Sequence, residues 1–447
     1  MRKYRRYGRY KDSGVEWIGK IPEEWEVSKI KFTTYVKGRI GWQGLRADEF
    51  IDEGPYLVTG TDFIDGLVNW DSCYHISMAR YNEAPPIQLE ENDLLITKDG
   101  TIGKIAIVRN KPKYAILNSG IFVTRPLNSA YSTKLMYWIL NSQIFNRYIE
   151  YMSFGSTIIH LYQQTFENFS FPIPNFNEQK AIIDFLDQKT AEIDALINDK
   201  EKLIELLQEK RQAIISEAVT KGLNPNVRMK DSGVDWIGDI PEHWDIRRIK
   251  YLSNIRNVKA SDGDNDKTYV GLESIESKTG KLLTNNNDEQ QAVGETANIF
   301  KKGDVLFGKL RPYLAKCIVA DFNGRCTSEL LVLRTGSNML PEYLYLFMLS
   351  PIFIDVVNSS TYGAKMPRAS WDFIGNLRIP LPSIKEQEEI VEYLIKLKNN
   401  MDDLIFDIST QIQKLKEYRQ SLISEAVTGK IDVREFQKKN EVIFRNE

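Results

Sequence analysis

The chain has 447 residues, 42% of them hydrophobic and 27% charged, and a formal net charge of −2. That size suits roughly two to four globular domains. The near-neutral balance excludes a uniformly basic nucleic-acid binder, and no apolar run approaches the ~20 residues of a membrane helix.

The first eleven residues, MRKYRRYGRYK, hold six cations: Arg2, Lys3, Arg5, Arg6, Arg9 and Lys11. Such an arm suits tracking of phosphates, which reward charge without carrying sequence information; a solubilising tail is the competing reading. The segment lacks the apolar stretch of a signal peptide. Cys73, Cys317 and Cys326 show no CxxC spacing. This argues against a disulfide framework or zinc site and points to a reducing, cytoplasmic setting.

At Lys11 begins KDSGVEWIGKIPEEWEV, and at Lys230 begins KDSGVDWIGDIPEHWDI. Read on through Lys31 and Lys250, 14 of 21 positions are identical. This is an internal duplication. It returns near the end of each copy, where FPIPNFNEQKAIIDFLDQ from Phe171 matches IPLPSIKEQEEIVEYLIK from Ile379. The offset between copies is 219 at the front and 208 at the rear, so the first copy carries eleven extra residues in its middle. Matching ends and diverged middles fit a shared frame around two different tasks.

From about Val27 to Pro126, short β-rich runs (YLVTG, DLLITKDG, KIAIV) alternate with Gly, Asp and Asn turn signals. Helical patterns follow near Leu135–Tyr148 and from Glu178 to Val219. The second copy repeats the order with DVLFGKL, AKCIVAD and ELLVLR. Before each long helix, Pro172-x-Pro174 and Pro380-x-Pro382 hold the chain extended. Asn175 with Glu178, and Ser383 with Glu386, have capping-box spacing. Gly222 and Gly429 supply left-handed helix ends.

The apolar positions of both long helices recur every seven residues. One seam of the first is Ile193, Lys200, Leu207, Ile214, and its companion is Ile197, Ile204, Arg211, Ala218. The matching seams of the second are Met401, Ile408, Leu415, Leu422 and Ile405, Ile412, Arg419, Ala426. A sustained heptad predicts a coiled coil. The globular segment between the helices favours their antiparallel pairing within one chain. The expected architecture is α+β, with two tandem homologous domains separated by two long helices in an antiparallel coiled coil and an approximate twofold internal symmetry. The expected boundaries are 1–175 for the first domain with its arm, 176–221 for the first long helix, 222–382 for the second domain, 383–428 for the second helix and 429–447 for the tail.

The KDSGVxWIGxIPxxW openings, the IPxPxxxEQ helix starts and the SEAVTGK helix end together resemble the specificity (S) subunits of type I restriction–modification systems. The resemblance spans nearly the whole chain, in both copies. It implies two target recognition domains that read a bipartite double-stranded DNA site, no catalysis in this chain, and docking of two modification (M) subunits and up to two restriction (R) subunits. It implies no cofactor here, with S-adenosylmethionine, ATP and Mg in the partners, whose complex methylates adenine at N6 and cleaves DNA. The residues agree in lacking familiar catalytic motifs: GTIGKI at Gly100–Ile105 has the wrong spacing for a phosphate loop, and EAPPIQ at Glu83–Gln88 lacks the flanking groups of an adenine-methylase run. His75 and His243 read as structural or surface residues. Rival readings are a self-sufficient DNA-modifying enzyme with an unrecognised site, a scaffold that binds no DNA, or the specificity subunit of a methylation-only or other multi-subunit system.

The diverged middles supply candidate DNA contacts. DLLITKDGTIGK (Asp93–Lys104) aligns with DVLFGKLRPYLAK (Asp304–Lys316). Lys98, Thr101 and Lys104 thereby match a loop holding Lys309, Arg311, Tyr313 and Lys316. A second matched pair, FGSTIIH (Phe154–His160) and YGAKMPR (Tyr362–Arg368), sets Ser156, Thr157 and His160 against Lys365 and Arg368. A shared turn with exchanged polar tips suits base readout, where Arg and Lys favour guanine and Asn or Gln adenine.

Overall fold

A computed structural model describes residues 4–39, 45–152, 160–264, 266–283, 297–361, 363 and 365–436. The chain divides into two units, Met1–Asp199 with Gln411–Glu447, and Lys200–Thr410.

In the first unit a six-stranded sheet has the order Thr34–Gly38, Ile121–Pro126, Leu94–Thr97, Ile105–Ile107, Leu67–Val68, Phe63–Ile64. A second sheet orders Ala115–Leu117, Ile51–Val58 and Tyr74–His75. The run Leu94–Thr97 is buried on both faces, which is why it reads as continuous apolar sequence rather than alternation.

The second unit repeats the plan. Its four-stranded sheet orders Ser253–Ile255, Leu330–Thr335, Val305–Gly308 and Cys317–Val319, and its three-stranded sheet orders Tyr269–Val270, Gly324–Thr327 and Ala297–Phe300. The hairpin Phe63–Ile64 with Leu67–Val68 has its counterpart in the antiparallel bridge between Ile275 and Leu282: the Asn69 amide donates to the Asp62 carbonyl at 2.8 Å in the first unit and the Leu283 amide to the Ser274 carbonyl at 2.7 Å in the second.

A buried aspartate opens the central strand in each unit. Asp93 accepts from the Glu90 amide and Asp304 from the Lys301 amide, both at 2.7 Å. Each carboxylate also takes a two-pronged arginine, but from different places: Arg125 on the strand Ile121–Pro126 at 2.6 and 2.9 Å, and Arg256 just after the strand Ser253–Ile255 at 2.6 and 3.1 Å. The turn was retained and its counter-ion relocated.

The helical pattern at Leu135–Tyr148 is two helices, Thr133–Leu140 and Gln143–Met152. The break falls at Ser142, whose buried hydroxyl donates to the Ile139 carbonyl at 2.5 Å. Ser350, its equivalent, donates to Phe347 at 2.6 Å ahead of Pro351. The serine thus accompanies the break with or without a proline.

The long helices span Phe176–Lys221 and Ile384–Val427. At the start of the second, Ser383 and Glu386 form the full capping box, with Glu386 accepting from the Ser383 amide at 3.2 Å and its own amide donating to the Ser383 hydroxyl at 3.3 Å. At the first, the Glu178 amide donates to Asn175 at 3.0 Å, while the Asn175 side-chain amide replaces the backbone as donor to Glu178.

Each unit contains its own antiparallel helix pair. In the first, the indole of Trp25 donates to Glu178 at the start of one helix at 3.0 Å, and its ring lies against Gly429 at the end of the other. Further along, Arg419 grips Asp194 at 2.8 and 3.0 Å. In the second unit, Trp244 donates to Glu386 at 3.0 Å and lies against Gly222, and Arg211 bonds Asp402 at 2.7 Å. Both arginines are the seam arginines, and both aspartates are equivalent across the duplication. The predicted seams are the inward rows: Ile193, Ile197, Ala218, Met401, Ile408, Ile412, Leu422 and Ala426 are buried, and Lys200, Ile204, Leu207, Ile214, Ile405 and Leu415 are half-buried.

The repeat openings therefore anchor helix ends. Trp17 and Trp236 have a separate place: Trp17 packs on Tyr148 and Tyr151 of the following helical hairpin, and Trp236 on Phe347. The basic arm is docked from Tyr4 onward rather than loose. Tyr4 packs edge-on against Phe185, Arg5 pairs with Glu435, the Asp432 amide donates to the Arg5 carbonyl at 2.8 Å, and Arg434 stacks over Tyr7.

Candidate nucleic-acid interface

Two loops separated by over fifty residues meet in each unit, and by the same backbone bonds. In the first, the Lys98 amide donates to the Gly120 carbonyl at 2.8 Å and the Leu161 amide donates to the Lys98 carbonyl at 2.8 Å. In the second, the Lys309 amide donates to Glu329 at 3.0 Å and the Ala369 amide donates to Lys309 at 2.9 Å. An isolated bridge pairs Asp99 with His160, and its counterpart pairs Leu310 with Arg368. The structure thus brings together the loop pairs that the alignment of the two middles singled out. Ser156 and Thr157 lie outside the described residues.

The loops are stiffened differently. In the first unit Thr97 stitches the turn: its hydroxyl donates to the Thr101 carbonyl at 2.5 Å and accepts from the Lys104 amide at 2.9 Å. Gly308 stands at that position in the second unit, where a Cβ would sit 3.2 Å from Leu272 and 3.3 Å from the Lys316 carbonyl. Without the hydroxyl, the loop is held by a short 3₁₀ turn at Pro312–Leu314, flanked by Arg311 and Ala315 in left-handed conformation (φ 51° and 47°). Each such residue costs about 1–2 kcal/mol. The Arg311 amide is tied to the neighbouring loop, donating to Pro367 at 2.8 Å. Strain of this kind clusters at functional sites.

The side chains divide into free and held groups. Thr101 and Lys104 are exposed, and Lys98 lies 5.1 Å from the centre of the Phe122 ring. His160 is held by Asp99. In the second unit Arg311, Tyr313 and Lys365 are exposed, and among the described residues Lys309, Arg311 and Lys365 form no ion pair. Arg368 is gripped by Glu329 through two bonds of 3.2 Å. Lys316 is half-buried and donates to the Leu272 carbonyl at 2.6 Å, and burial pulls its ammonium down from the usual lysine range. It braces the turn. The carboxylates that aim His160 and Arg368 were not singled out from the sequence. Asp99 sits within the KDG turn itself, but Glu329 comes from the turn ahead of the strand Leu330–Thr335, with no local signal.

Other polar groups have structural partners. His75 bonds the Gly54 carbonyl at 2.8 Å, and His243 bonds Glu386 at 2.7 Å. All three cysteines are buried and unpaired. Among the described residues, no helix is long and apolar enough to cross a membrane.

The family model for the type I restriction modification DNA specificity domain matches residues 22–206 and again 241–414. The chain belongs to that family. Among curated relatives, it is 25% identical over 440 residues to the MjaVIII specificity subunit of Methanocaldococcus jannaschii, covering 93% of this chain and 95% of the relative. It is 23% identical over 315 residues to the EcoDI specificity subunit of Escherichia coli, covering 67% and 70%. Its fold is similar to that of a solved chain from work on complex assembly and conformational transition of the type I R-M system (TM-score 0.68, 15% identity, 92% of this chain and 99% of that one). The HsdS subunit of Thermoanaerobacter tengcongensis is similar too (TM-score 0.52, 14% identity, 92% and 98%). The two family matches fall on the two copies of the duplication, so the chain is a type I specificity subunit with two DNA specificity domains.

Proposed function

We propose that each unit of this specificity subunit reads one half of a bipartite DNA site through its pair of bridged loops. The chain performs no chemistry itself and carries two methyltransferase subunits, with restriction subunits joining them. The observation that carries the reading is the loop pair. The same backbone bonds hold it in both units around a shared lysine, Lys98 and Lys309, while the other side chains it presents have diverged: Thr101 and Lys104 in one, Arg311, Tyr313 and Lys365 in the other. A constant scaffold with variable tips is what two different half-sites require, because base edges are distinguished by donor and acceptor pattern. In the assembled complex, adenine methylation and ATP-dependent cleavage belong to the partners, with S-adenosylmethionine, ATP and Mg bound there.

The test is the methylation motif of cells expressing the chain with its native methyltransferase subunit. A bipartite motif is expected. Replacing 28–169 with the corresponding middle of a relative changes one half and leaves the other. A motif altered in both halves would refute the division of reading between the units.

A further inference from the structure

Each unit keeps one large aromatic side chain in water at an equivalent position. After the strand Glu26–Lys29, the short helix Ile30–Thr33 turns Ile30 and Thr33 inward and leaves Phe32 68% exposed. After Asp245–Arg248, the short helix Ile249–Leu252 buries Ile249 and Leu252 and leaves Tyr251 71% exposed. The two helices are set by the same bond: the Ile30 amide donates to the Phe169 carbonyl and the Ile249 amide to the Leu377 carbonyl, each at 3.0 Å. A lysine lies over each ring, Lys31 at 5.0 Å and Lys250 at 5.5 Å. Folding needs neither ring, since both point away from the core. A lone exposed aromatic needs no explanation; a matched, lysine-flanked pair kept through a duplication does.

The place of the rings separates them from the reading loops. In the first sheet, Thr34 pairs with Pro126 at one end of the strand Ile121–Pro126, while Thr97, which leads into the reading loop, pairs with Ile121 at the other. In the second, Ser253 pairs with Thr335 and Gly308 with Leu330. Ring and loop therefore lie at opposite ends of a six-residue strand, about 17 Å apart at ~3.3 Å per residue. The rim around Tyr251 is cationic as well. Arg248 and Arg378 stand directly opposite one another across the strand pair, a like-charge arrangement that opposes folding, and neither has an ion pair among the described residues.

We infer that Phe32 and Tyr251 are the anchors of two equivalent protein-docking surfaces, each taking one copy of the same partner through an apolar pocket with an acidic rim. The duplication supplies the equivalence and the lysines and arginines supply the charge complement. A buried aromatic ringed by polar contacts is the usual centre of such a surface. The inference rests on the proposed function in one respect: the partner is the methyltransferase subunit.

The test uses the full chain and that subunit, with stoichiometry read by native mass spectrometry and DNA affinity read on the chain alone. Phe32→Ala or Tyr251→Ala each weakens one of two sites at least tenfold, giving complexes with one partner copy. The double variant retains none at the concentration that saturates the wild type. DNA affinity stays within twofold and the melting temperature is unchanged. Lys31→Glu with Lys250→Glu, which keeps both rings, weakens both sites by repulsion, while Tyr251→Phe retains binding. A double variant that still binds two copies at wild-type affinity overturns the inference alone. Lost DNA affinity with intact partner binding overturns it in favour of a nucleic-acid surface. A wild-type chain that binds no methyltransferase subunit overturns the docking function together with this inference.

Discussion

The two inter-helix ion pairs are copies of one pair, yet their surroundings give them different weights. Arg211 and Asp402 have side-chain exposures of 5% and 16%, whereas Arg419 and Asp194 have 30% and 46%. Exposed pairs contribute about 0–1 kcal/mol because water screens the attraction and ordering two side chains costs entropy. Removing one partner of a buried pair is different in kind, since it strands a desolvated charge, at about 3–5 kcal/mol. Asp402→Ala leaves Arg211 buried without its carboxylate and also deprives Lys281, which sits 2.9 Å from Asp402. We expect Asp402→Ala to lower the denaturation midpoint of the unit Lys200–Thr410 by an amount equivalent to ~3–5 kcal/mol, and Asp194→Ala to shift its own unit by less than ~1 kcal/mol. Equal shifts in urea titrations followed by near-ultraviolet circular dichroism would mean burial does not set the difference. A polar pair inside an apolar seam fixes which register the helices adopt.

The helix ends show what local chemistry makes legible. Gly222 and Gly429 both take positive φ, 76° and 67°, as their positions after the last helical turn require. Their environments differ. A Cβ on Gly222 would meet the Trp244 ring at 3.1 Å, whereas one on Gly429 would lie 2.4 Å from two ring carbons of Pro22. Gly222→Ala should therefore cost roughly the left-handed penalty of about 1–2 kcal/mol. Gly429→Ala should cost clearly more, because the repeat opening must also withdraw, and thermal melts of the two variants check the order. Caps, seams and terminal glycines were readable because each depends on residues within one or two turns of sequence. The pairing of seam arginine with aspartate was not, since it joins residues about two hundred positions apart and appears only once the helix register exists. The carboxylates behind the bridged loops escaped for the same reason. Asp93 and Asp304 align by sequence, but nothing local says that one takes Arg125 and the other Arg256. The split at Ser142 was missed because a buried serine lacks the plain stop signal that Pro351 gives its equivalent.

At the scale of the whole chain, the duplication placed a coiled-coil segment in each unit, and the heptad seams run without interruption along helices of 46 and 44 residues. At ~1.5 Å per residue each is a rod of roughly 65–70 Å. We expect these helices to set the spacer between the two halves of the DNA site. Inserting one heptad into both helices, at equivalent seam positions, keeps apolar rows facing each other and lengthens each by about 10 Å. With ~3.4 Å per base pair along either strand, the recognised spacer should grow by about three base pairs while both half-sites keep their sequence. Inserting the heptad into one helix alone breaks the antiparallel register and should abolish the motif rather than shift it. Sequencing methylated positions in cells that carry each variant with the native methyltransferase subunit distinguishes these results. An unchanged spacer after the paired insertion would show that the spacing is set by the partners and not by this chain.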